Sequence, residues 1–185
     1  MNAGQILNPK HTALLIYDMT QDRVTAGRRY SQWAASGMPD LVRLVERCRQ
    51  TGVGVCYALR DGGPPGLEMC RDISPLPDES LFLHPKSGAF YKTTLGEHLR
   101  QNQCSSLLLT GIALDYGISS TAREALNQGI HPILVRGACY AYDILDSPVG
   151  AVTKEELERS HFASLYRMGA GIMSVNEIIA ALREE

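Results

Sequence analysis

Short apolar runs alternate with amphipathic segments along most of the chain. Residues 12–17 (TALLIY) form a continuous apolar run that ends at Asp18. Such a run is typical of a parallel strand buried on both faces, here with a carboxylate at its carboxyl end. Further strand-sized apolar runs predict strands at 53–59, 81–83, 106–110, 133–135 and 171–174.

The amphipathic segments between these runs predict helices. Pro39 suits the first turn of a helix, and the apolar stripe that follows it ends before Gly52. Further helices are predicted at 117–128, 154–168 and 176–182. Two pairs of residues have the Thr-x-x-Glu spacing of a capping box, which marks a helix start: Thr94 with Glu97, and Thr153 with Glu156.

The alternation of strands and helices predicts the fold class. Strand–helix–strand units join parallel strands and place helices on both faces of the sheet. We therefore expect a three-layer α/β/α, Rossmann-like fold with a central, mainly parallel sheet of about six strands, in a single domain over residues 1–185. Ligands bind such sheets at the carboxyl ends of the strands, where Asp18 and residues 111–117 both lie.

The composition narrows the possible functions. With 185 residues, 44% of them hydrophobic, the chain suits one well-cored domain. Its net charge of −2 gives no excess of positive charge with which to bind nucleic acid. No apolar run approaches the ~20 residues of a membrane span. The five cysteines are scattered, no Cys/His spacing indicates a metal site, and the N-terminus has no secretory signal pattern. We therefore expect a cytoplasmic protein without a metal or cofactor.

Three segments together resemble one enzyme family. Residues 13–19 (ALLIYDM) are similar to its A-L-L-[VI]-x-D-M-Q segment, and residues 84–95 (HPKSGAFYKTTL) to its K-x-x-x-[SG]-A-F-x-x-T-x-L segment. Residues 111–122 (GIALDYGISSTA) are similar to its nucleophile turn, G-[VIL]-A-T-D-x-C-V-x-x-T-A. Over about residues 10–183 the chain thus resembles the isochorismatase-like cysteine hydrolases, which include nicotinamidases, N-carbamoyl amidases and isochorismatases.

The resemblance implies roles for several side chains. Asp18 matches the acidic residue that takes a proton from the thiol in the amidases and protonates the enol ether in the isochorismatases. The family's lysine falls on His84, while Lys86 lies two residues later and could reach the site through a shortened loop. Either His84 or Lys86 could therefore take the place of the family's lysine beside Asp18. Phe90 lies in the same segment and is expected to contact the substrate.

The nucleophile turn departs from the family pattern at its key position. Gly117 stands where the family has its cysteine, so the turn offers no thiol for a covalent intermediate. The resemblance implies a cis peptide between Ile112 and Ala113, and a pocket in which the backbone N–H groups of Ala113 and Gly117 hold an anionic oxygen. Tyr116, next to Gly117, is expected to line this pocket. The isochorismatases of the family also carry glycine in place of the cysteine.

Two functions are compatible with these residues. The first is a hydrolase that acts on a small molecule without a covalent intermediate, through acid/base catalysis by Asp18, of the isochorismatase type or a related reaction. Gly117 would then give room to a bulky substrate such as a cyclic vinyl ether. The second is a catalytically inactive pseudoenzyme that binds a small ligand or a partner protein. The resemblance also implies a homodimer or tetramer, with the Gly/Pro-rich segment 62–77 as the expected contact.

Overall fold

Six parallel strands form one central sheet. The computed structural model describes residues 7–21, 28–62 and 69–182, with the backbone alone for residues 28–36. The strands are β1 (Thr12–Tyr17), β2 (Gly54–Arg60), β3 (Ser80–His84), β4 (Ser106–Ile112), β5 (His131–Tyr140) and β6 (Gly171–Ser174). They lie in the order β3-β2-β1-β4-β5-β6, and each neighbouring pair is parallel. The predicted fold class is confirmed.

Helices cover both faces of the sheet. Those in the described part of the chain are α1 (Arg28–Thr51), α2 (Leu95–Gln101), α3 (Ser119–Asn127), α4 (Lys154–Arg167) and α5 (Val175–Ala181). Helices α1 and α5 contribute to the core on one face, and α2, α3 and α4 contribute to the core on the other. The result is the three-layer arrangement that the alternation of elements predicts.

Strand β1 lies inside the sheet, and all six of its residues are buried. Leu14 and Ile16 belong to the core beneath α1 and α5. Leu15 and Tyr17 alternate with them and belong to the core beneath α2, α3 and α4. Tyr17 therefore ends the strand on the same side of the sheet as the helix that follows β4.

The start of α1 differs from the prediction. The helix begins at Arg28, so Pro39 lies inside it and not in its first turn. Proline inside a helix removes one hydrogen bond, at a cost of about 3 kcal/mol. Leu41, Leu44 and Val45, which follow Pro39, are buried in the core, and each buried apolar side chain stabilises by about 1.5–3 kcal/mol. Packing thus outweighs the preference of proline for a helix start.

One of the two predicted capping boxes is present. At the start of α4, the Glu156 N–H donates to Thr153 Oγ1 at 3.3 Å, and Glu156 Oε2 accepts from the Thr153 N–H at 2.9 Å. Thr94 precedes α2 without a side-chain cap. The N–H of Leu95 donates instead to Thr93 Oγ1, at 3.3 Å. The capping box predicted at Thr94 is therefore wrong.

Strand β5 is longer than predicted and reaches Tyr140. Gly137 within it has a φ of +91°, a conformation that favours glycine. The pairing with β4 shifts register between Leu109 and Gly111, and beyond this shift Ile112 pairs with Tyr140. The extension supports the end of β4 that leads into the nucleophile turn.

Three expectations concern the surface and the metal content. The predicted contact segment 62–77 is described only in part, since residues 63–68 lie outside the described residues. In the described ranges, no helix is long and apolar enough to cross a membrane. The same ranges contain no group of three His, Cys, Asp or Glu side chains that could hold a metal ion.

Candidate active site

Asp18 lies where β1 ends, and β2 holds its carboxylate in place. The residue has a φ of +50° and is 1% exposed. Its N–H donates to the carbonyl oxygen of Ala58 at 2.8 Å, and its Oδ1 accepts from the N–H of Arg60 at 2.9 Å. These two bonds fix both the backbone and the side chain of Asp18 at the carboxyl edge of the sheet.

His84, and not the side chain of Lys86, lies beside Asp18. His84 is the last residue of β3 and is 0% exposed. Its Nε2 is 3.3 Å from Asp18 Oδ1, and its Nδ1 is 2.5 Å from the carbonyl oxygen of Lys86. Lys86 itself is exposed. Of the two residues that the sequence offers for this position, the structure brings His84 to the acid, and Lys86 contributes its backbone.

The hydrogen bonds of His84 require a proton between its ring and Asp18. A carbonyl oxygen can only accept, so Nδ1 must carry the hydrogen that bonds the Lys86 carbonyl. A neutral imidazole would then present a bare Nε2 to a carboxylate, and two acceptors do not attract each other. A single proton, on Nε2 or on Oδ1, turns the 3.3 Å contact into a hydrogen bond. The buried pair thus holds one transferable proton.

The ring of Tyr17 fills the place where a nucleophile side chain would begin. Gly117 is buried in the turn after β4, and a Cβ built on it would overlap Cζ, Cε1 and Oη of Tyr17. A fully buried ring in a close-packed core cannot move aside as the end of a flexible side chain would. The expectation that Gly117 gives room to a bulky substrate is therefore wrong, because Tyr17 occupies that room.

Tyr17 also holds His84 in place. The two rings stack with their centroids 4.7 Å apart and an angle of 25° between their planes. The Tyr17 hydroxyl donates to the carbonyl oxygen of Ser87 at 2.7 Å and lies 3.4 Å from His84 Nδ1. Sequence reasoning missed this residue. The signal that was available is an aromatic residue directly before Asp18 in a chain that carries glycine at position 117.

The turn after β4 packs directly on the end of β1. The peptide bond between Ile112 and Ala113 is cis, and both residues are buried. The N–H of Tyr116 donates to the Ala113 carbonyl oxygen at 3.2 Å, which closes the turn. Gly111 has a φ of +113°, and a Cβ there would overlap the carbonyl of Tyr17. Glycine is therefore needed for the two segments to approach this closely.

A bridge between Arg60 and Tyr116 spans the carboxyl end of β1. Arg60 ends β2, and Tyr116 lies in the turn after β4, so the two residues come from opposite sides of β1. Arg60 Nη2 donates to the Tyr116 hydroxyl at 2.9 Å, and the guanidinium carbon is 5.6 Å from the centre of the ring. Tyr116 is 47% exposed. The bridge is thus the accessible part of the edge at which Asp18 and His84 are buried.

Helix α3 fixes the loop that follows His84. The N–H of Ala89 donates to Thr121 Oγ1 at 3.0 Å, and the N–H of Phe90 donates to Glu124 Oε2 at 3.1 Å. Burial raises the pKa of the Glu124 carboxyl that takes part in this contact. The Phe90 side chain belongs to the core on the α3 side of the sheet. Phe90 therefore anchors the loop, and its contact with a substrate stays a prediction.

Comparison with known proteins identifies the family. The protein-family model of the isochorismatase domain matches residues 12–177. The chain belongs to the isochorismatase family. The match runs through all the segments that build the site, from β1 to the turn that contains Gly117.

Relatives of this isochorismatase-family protein include a streptothricin hydrolase. The isochorismatase family protein YecD of Escherichia coli O157:H7 is 28% identical over 205 residues, which cover 95% of this chain and 98% of that protein. A streptothricin hydrolase of Streptomyces noursei is 29% identical over 151 residues, covering 74% of this chain and 57% of the hydrolase. Enterobactin synthase component B of Escherichia coli K12 is 23% identical over 150 residues, covering 70% of this chain and 53% of that protein. The matched region is thus little more than half the length of the last two proteins.

Solved structures share the fold. A cysteine hydrolase from Pseudomonas syringae pv. phaseolicola 1448A matches with a TM-score of 0.86 over 98% of both chains, at 18% identity. An isochorismatase from Pseudomonas putida KT2440 matches with a TM-score of 0.84 over 94% of this chain and 92% of the other, at 19% identity. At these identities the likeness concerns the fold and carries no statement about the reaction.

Proposed function

We propose that this protein is a hydrolase of the isochorismatase family that acts on a small molecule without a covalent intermediate. Asp18 and His84 share the acid/base work. The observation that carries the proposal is the buried contact between Asp18 Oδ1 and His84 Nε2, 3.3 Å apart at the carboxyl edge of the sheet. A pair with one transferable proton supplies what acid-catalysed hydrolysis requires.

The proton moves through the pair in a closed cycle. In the hydrolysis of a vinyl ether, the proton held between His84 and Asp18 passes from Oδ1 to the terminal carbon of the double bond, whose π electrons form the new C–H bond. Water then adds to the resulting oxocarbenium carbon and returns a proton to Asp18. The hemiketal breaks its C–O bond to give a ketone and an alcohol. One water molecule is consumed, and the pair regains its starting state.

A nucleophilic cysteine has no place in this cycle. The Tyr17 ring occupies the space beside Gly117. Burial raises the pKa of Cys48 and of Cys139 to about 12, so at neutral pH these thiols remain protonated and are poor nucleophiles. These observations support direct attack by water over the thioester route of the cysteine hydrolases.

The burial of the acid/base pair favours a second candidate function, ligand binding without turnover. Asp18 and His84 are both buried, and the Tyr17 ring closes the space that a nucleophile would need. A substrate can reach Asp18 Oδ1 only if the bridge between Arg60 and Tyr116 moves. A ligand that binds on the outside of this bridge requires no such movement.

Replacing Asp18 by asparagine separates the two functions. The parent protein and Asp18→Asn are assayed for hydrolysis of isochorismate, which is a vinyl ether, and of small amides. General acid/base catalysis contributes about 10²- to 10⁴-fold, so Asp18→Asn should lose at least about 100-fold in kcat on any substrate that the parent turns over. Asp78→Asn, an exposed carboxylate near the opposite edge of the sheet, should keep full activity. If the parent hydrolyses neither class of substrate, the hydrolase proposal fails and the binding function takes its place.

The location and the oligomeric state remain predictions. The composition predicts a cytoplasmic protein, and the family resemblance implies a homodimer or tetramer. Light scattering coupled to size-exclusion chromatography counts the subunits directly, and a monomer would contradict the second prediction.

A further inference from the structure

We propose that β3 is the contact surface of a homodimer, in which it pairs antiparallel with β3 of a second copy of this chain. β3 is an edge strand, since β2 is its one neighbour in the sheet that the structure describes. The two-fold axis of the dimer passes beside Phe82, the middle residue of β3. The proposal goes beyond the proposed function and does not depend on it, because the pairing of two strands requires no turnover.

The backbone of β3 offers a self-complementary set of hydrogen-bonding groups. The N–H of Asp61 donates to the His84 carbonyl oxygen at 3.0 Å, so alternate residues of β3, Phe82 among them, direct their backbone groups toward β2. Leu81 and Leu83 lie between these residues, and their N–H and C=O groups therefore point away from β2. Within the described ranges these groups have no partner. In an antiparallel pair centred on Phe82, Leu81 meets Leu83 of the second copy, and the two exchange both N–H···O bonds.

The side chains of β3 suit a covered strand. Natural edge strands are usually protected from pairing by lysine, proline or a β-bulge, and β3 has none of these between Ser80 and His84. Instead, Leu81 is 47% exposed and Leu83 is 53% exposed, on the same face of the sheet. Strand β6 at the opposite edge has four residues, and its side chains are buried or half-buried. Pairing of two β3 strands places the leucines of both copies side by side and removes them from water.

Helix α2 leaves the outer side of β3 accessible. A groove of about 340 Å³ lies between the strand and the helix, and its lining includes Ser80, Leu81 and Phe82 on one side and Thr94, His98 and Gln101 on the other. A second strand can therefore approach β3 without displacing the helix.

Charges at the two ends of β3 favour a second copy of this chain as the occupant. Asp78 precedes the strand and Lys86 follows it, and both side chains are exposed. Neither forms an ion pair in the part of the chain that the structure describes. Both positions lie the same number of residues from Phe82, so the antiparallel arrangement brings Asp78 of each copy beside Lys86 of the other. An unrelated strand would meet this pattern of charges only by chance.

Sedimentation of the parent and of two lysine variants tests the contact surface. The parent should sediment as a dimer, with twice the chain mass of 20.3 kDa. Leu81→Lys adds a charge to the edge and should raise the dissociation constant of the dimer at least about tenfold, because the lysine would be desolvated beside Leu83 of the second copy. Leu145→Lys is the matched control: Leu145 is also an exposed leucine, at 68%, but it lies between β5 and α4 and should leave the dimer unchanged.

A charge reversal tests the antiparallel register. Asp78→Lys and Lys86→Asp, each made alone, bring like charges together at both ends of the paired strands, so each should raise the dissociation constant at least about tenfold. The double variant Asp78→Lys/Lys86→Asp restores opposite charges in both places and should return the dissociation constant to within about threefold of the parent value. Thermal melts show whether each variant is folded.

The proposal is overturned if the parent is monomeric at NMR concentrations, which would leave the β3 edge to a strand of a different protein. It is also overturned if folded Leu81→Lys dimerises as tightly as the parent, since the contact would then lie elsewhere. Failure of the double variant to dimerise better than the two single variants would reject the antiparallel pairing centred on Phe82.

Discussion

Tyr17 and Gly117 have to be considered together, because they compete for one volume. A side chain at position 117 would overlap the buried Tyr17 ring. In this chain the glycine at the position of the family's cysteine is therefore accompanied by a ring in β1, that of Tyr17, which fills the space. Returning a cysteine to position 117 alone would not place a thiol beside Asp18, since Tyr17 would still be in the way.

A double-mutant cycle measures this competition. Gly117→Ala should destabilise the parent by about 1–3 kcal/mol, the usual cost of overpacking a core. In a Tyr17→Val background, where the ring is gone, the same Gly117→Ala change should cost close to nothing. The free energy of unfolding of the four proteins in urea gives the coupling between the two positions. An equal cost of Gly117→Ala in both backgrounds would show that the ring does not fill this space.

At the scale of single residues, the sequence predicts the acid but not its partners. Asp18 could be found because it ends an apolar run at the edge where parallel sheets bind ligands. The choice between His84 and Lys86 depends on a backbone turn that directs the Lys86 carbonyl, and not the amine, toward the histidine ring. Tyr17 looks like any other core residue of β1 until the turn that contains Gly117 is placed against it.

At the scale of elements, continuous apolar runs predict strands well, and local start signals predict helices less well. β1 and β6 lie where the pattern places them, since burial on both faces leaves a clear sequence signal. The same reasoning fails for α1, which extends upstream of Pro39. β5 continues past its apolar core through Gly137, in the stretch where its pairing with β4 shifts register, and an apolar run does not reveal such a shift.

The two Thr-x-x-Glu sequences give an element-level test, because one forms a capping box and the other does not. Thr153→Ala removes the hydroxyl that accepts from the Glu156 N–H, so it should lower the free energy of unfolding by about 1 kcal/mol. Thr94→Ala removes no cap and should cost less than about 0.5 kcal/mol. Urea denaturation of both variants beside the parent measures the difference. Equal losses would mean that the spacing in the sequence, and not the geometry at the helix start, determines capping.

At the scale of the whole molecule, the sheet assembles the site from segments that are far apart in sequence. Asp18 follows β1 and His84 ends β3, and β2 lies between these strands and contributes Arg60. The alternation of strands and helices predicts the parallel sheet and the edge at which the site lies. It does not predict which loop side chains turn inward, because that depends on contacts such as those of α3 with the loop after His84.

The central claim is that Asp18 and His84 share one proton, and nitrogen NMR of His84 tests this claim most directly. In the parent, Nδ1 of His84 should carry a proton toward the Lys86 carbonyl, and a second proton, on Nε2 or on Oδ1, should give a separate hydrogen-bonded proton signal between the ring and Asp18. In Asp18→Asn the carboxylate is gone, so this second proton signal should be lost while Nδ1 keeps its hydrogen. Signal assignment through a His84→Gln variant identifies the resonances. The absence of this second proton signal in the parent, or its persistence in Asp18→Asn, would contradict the account.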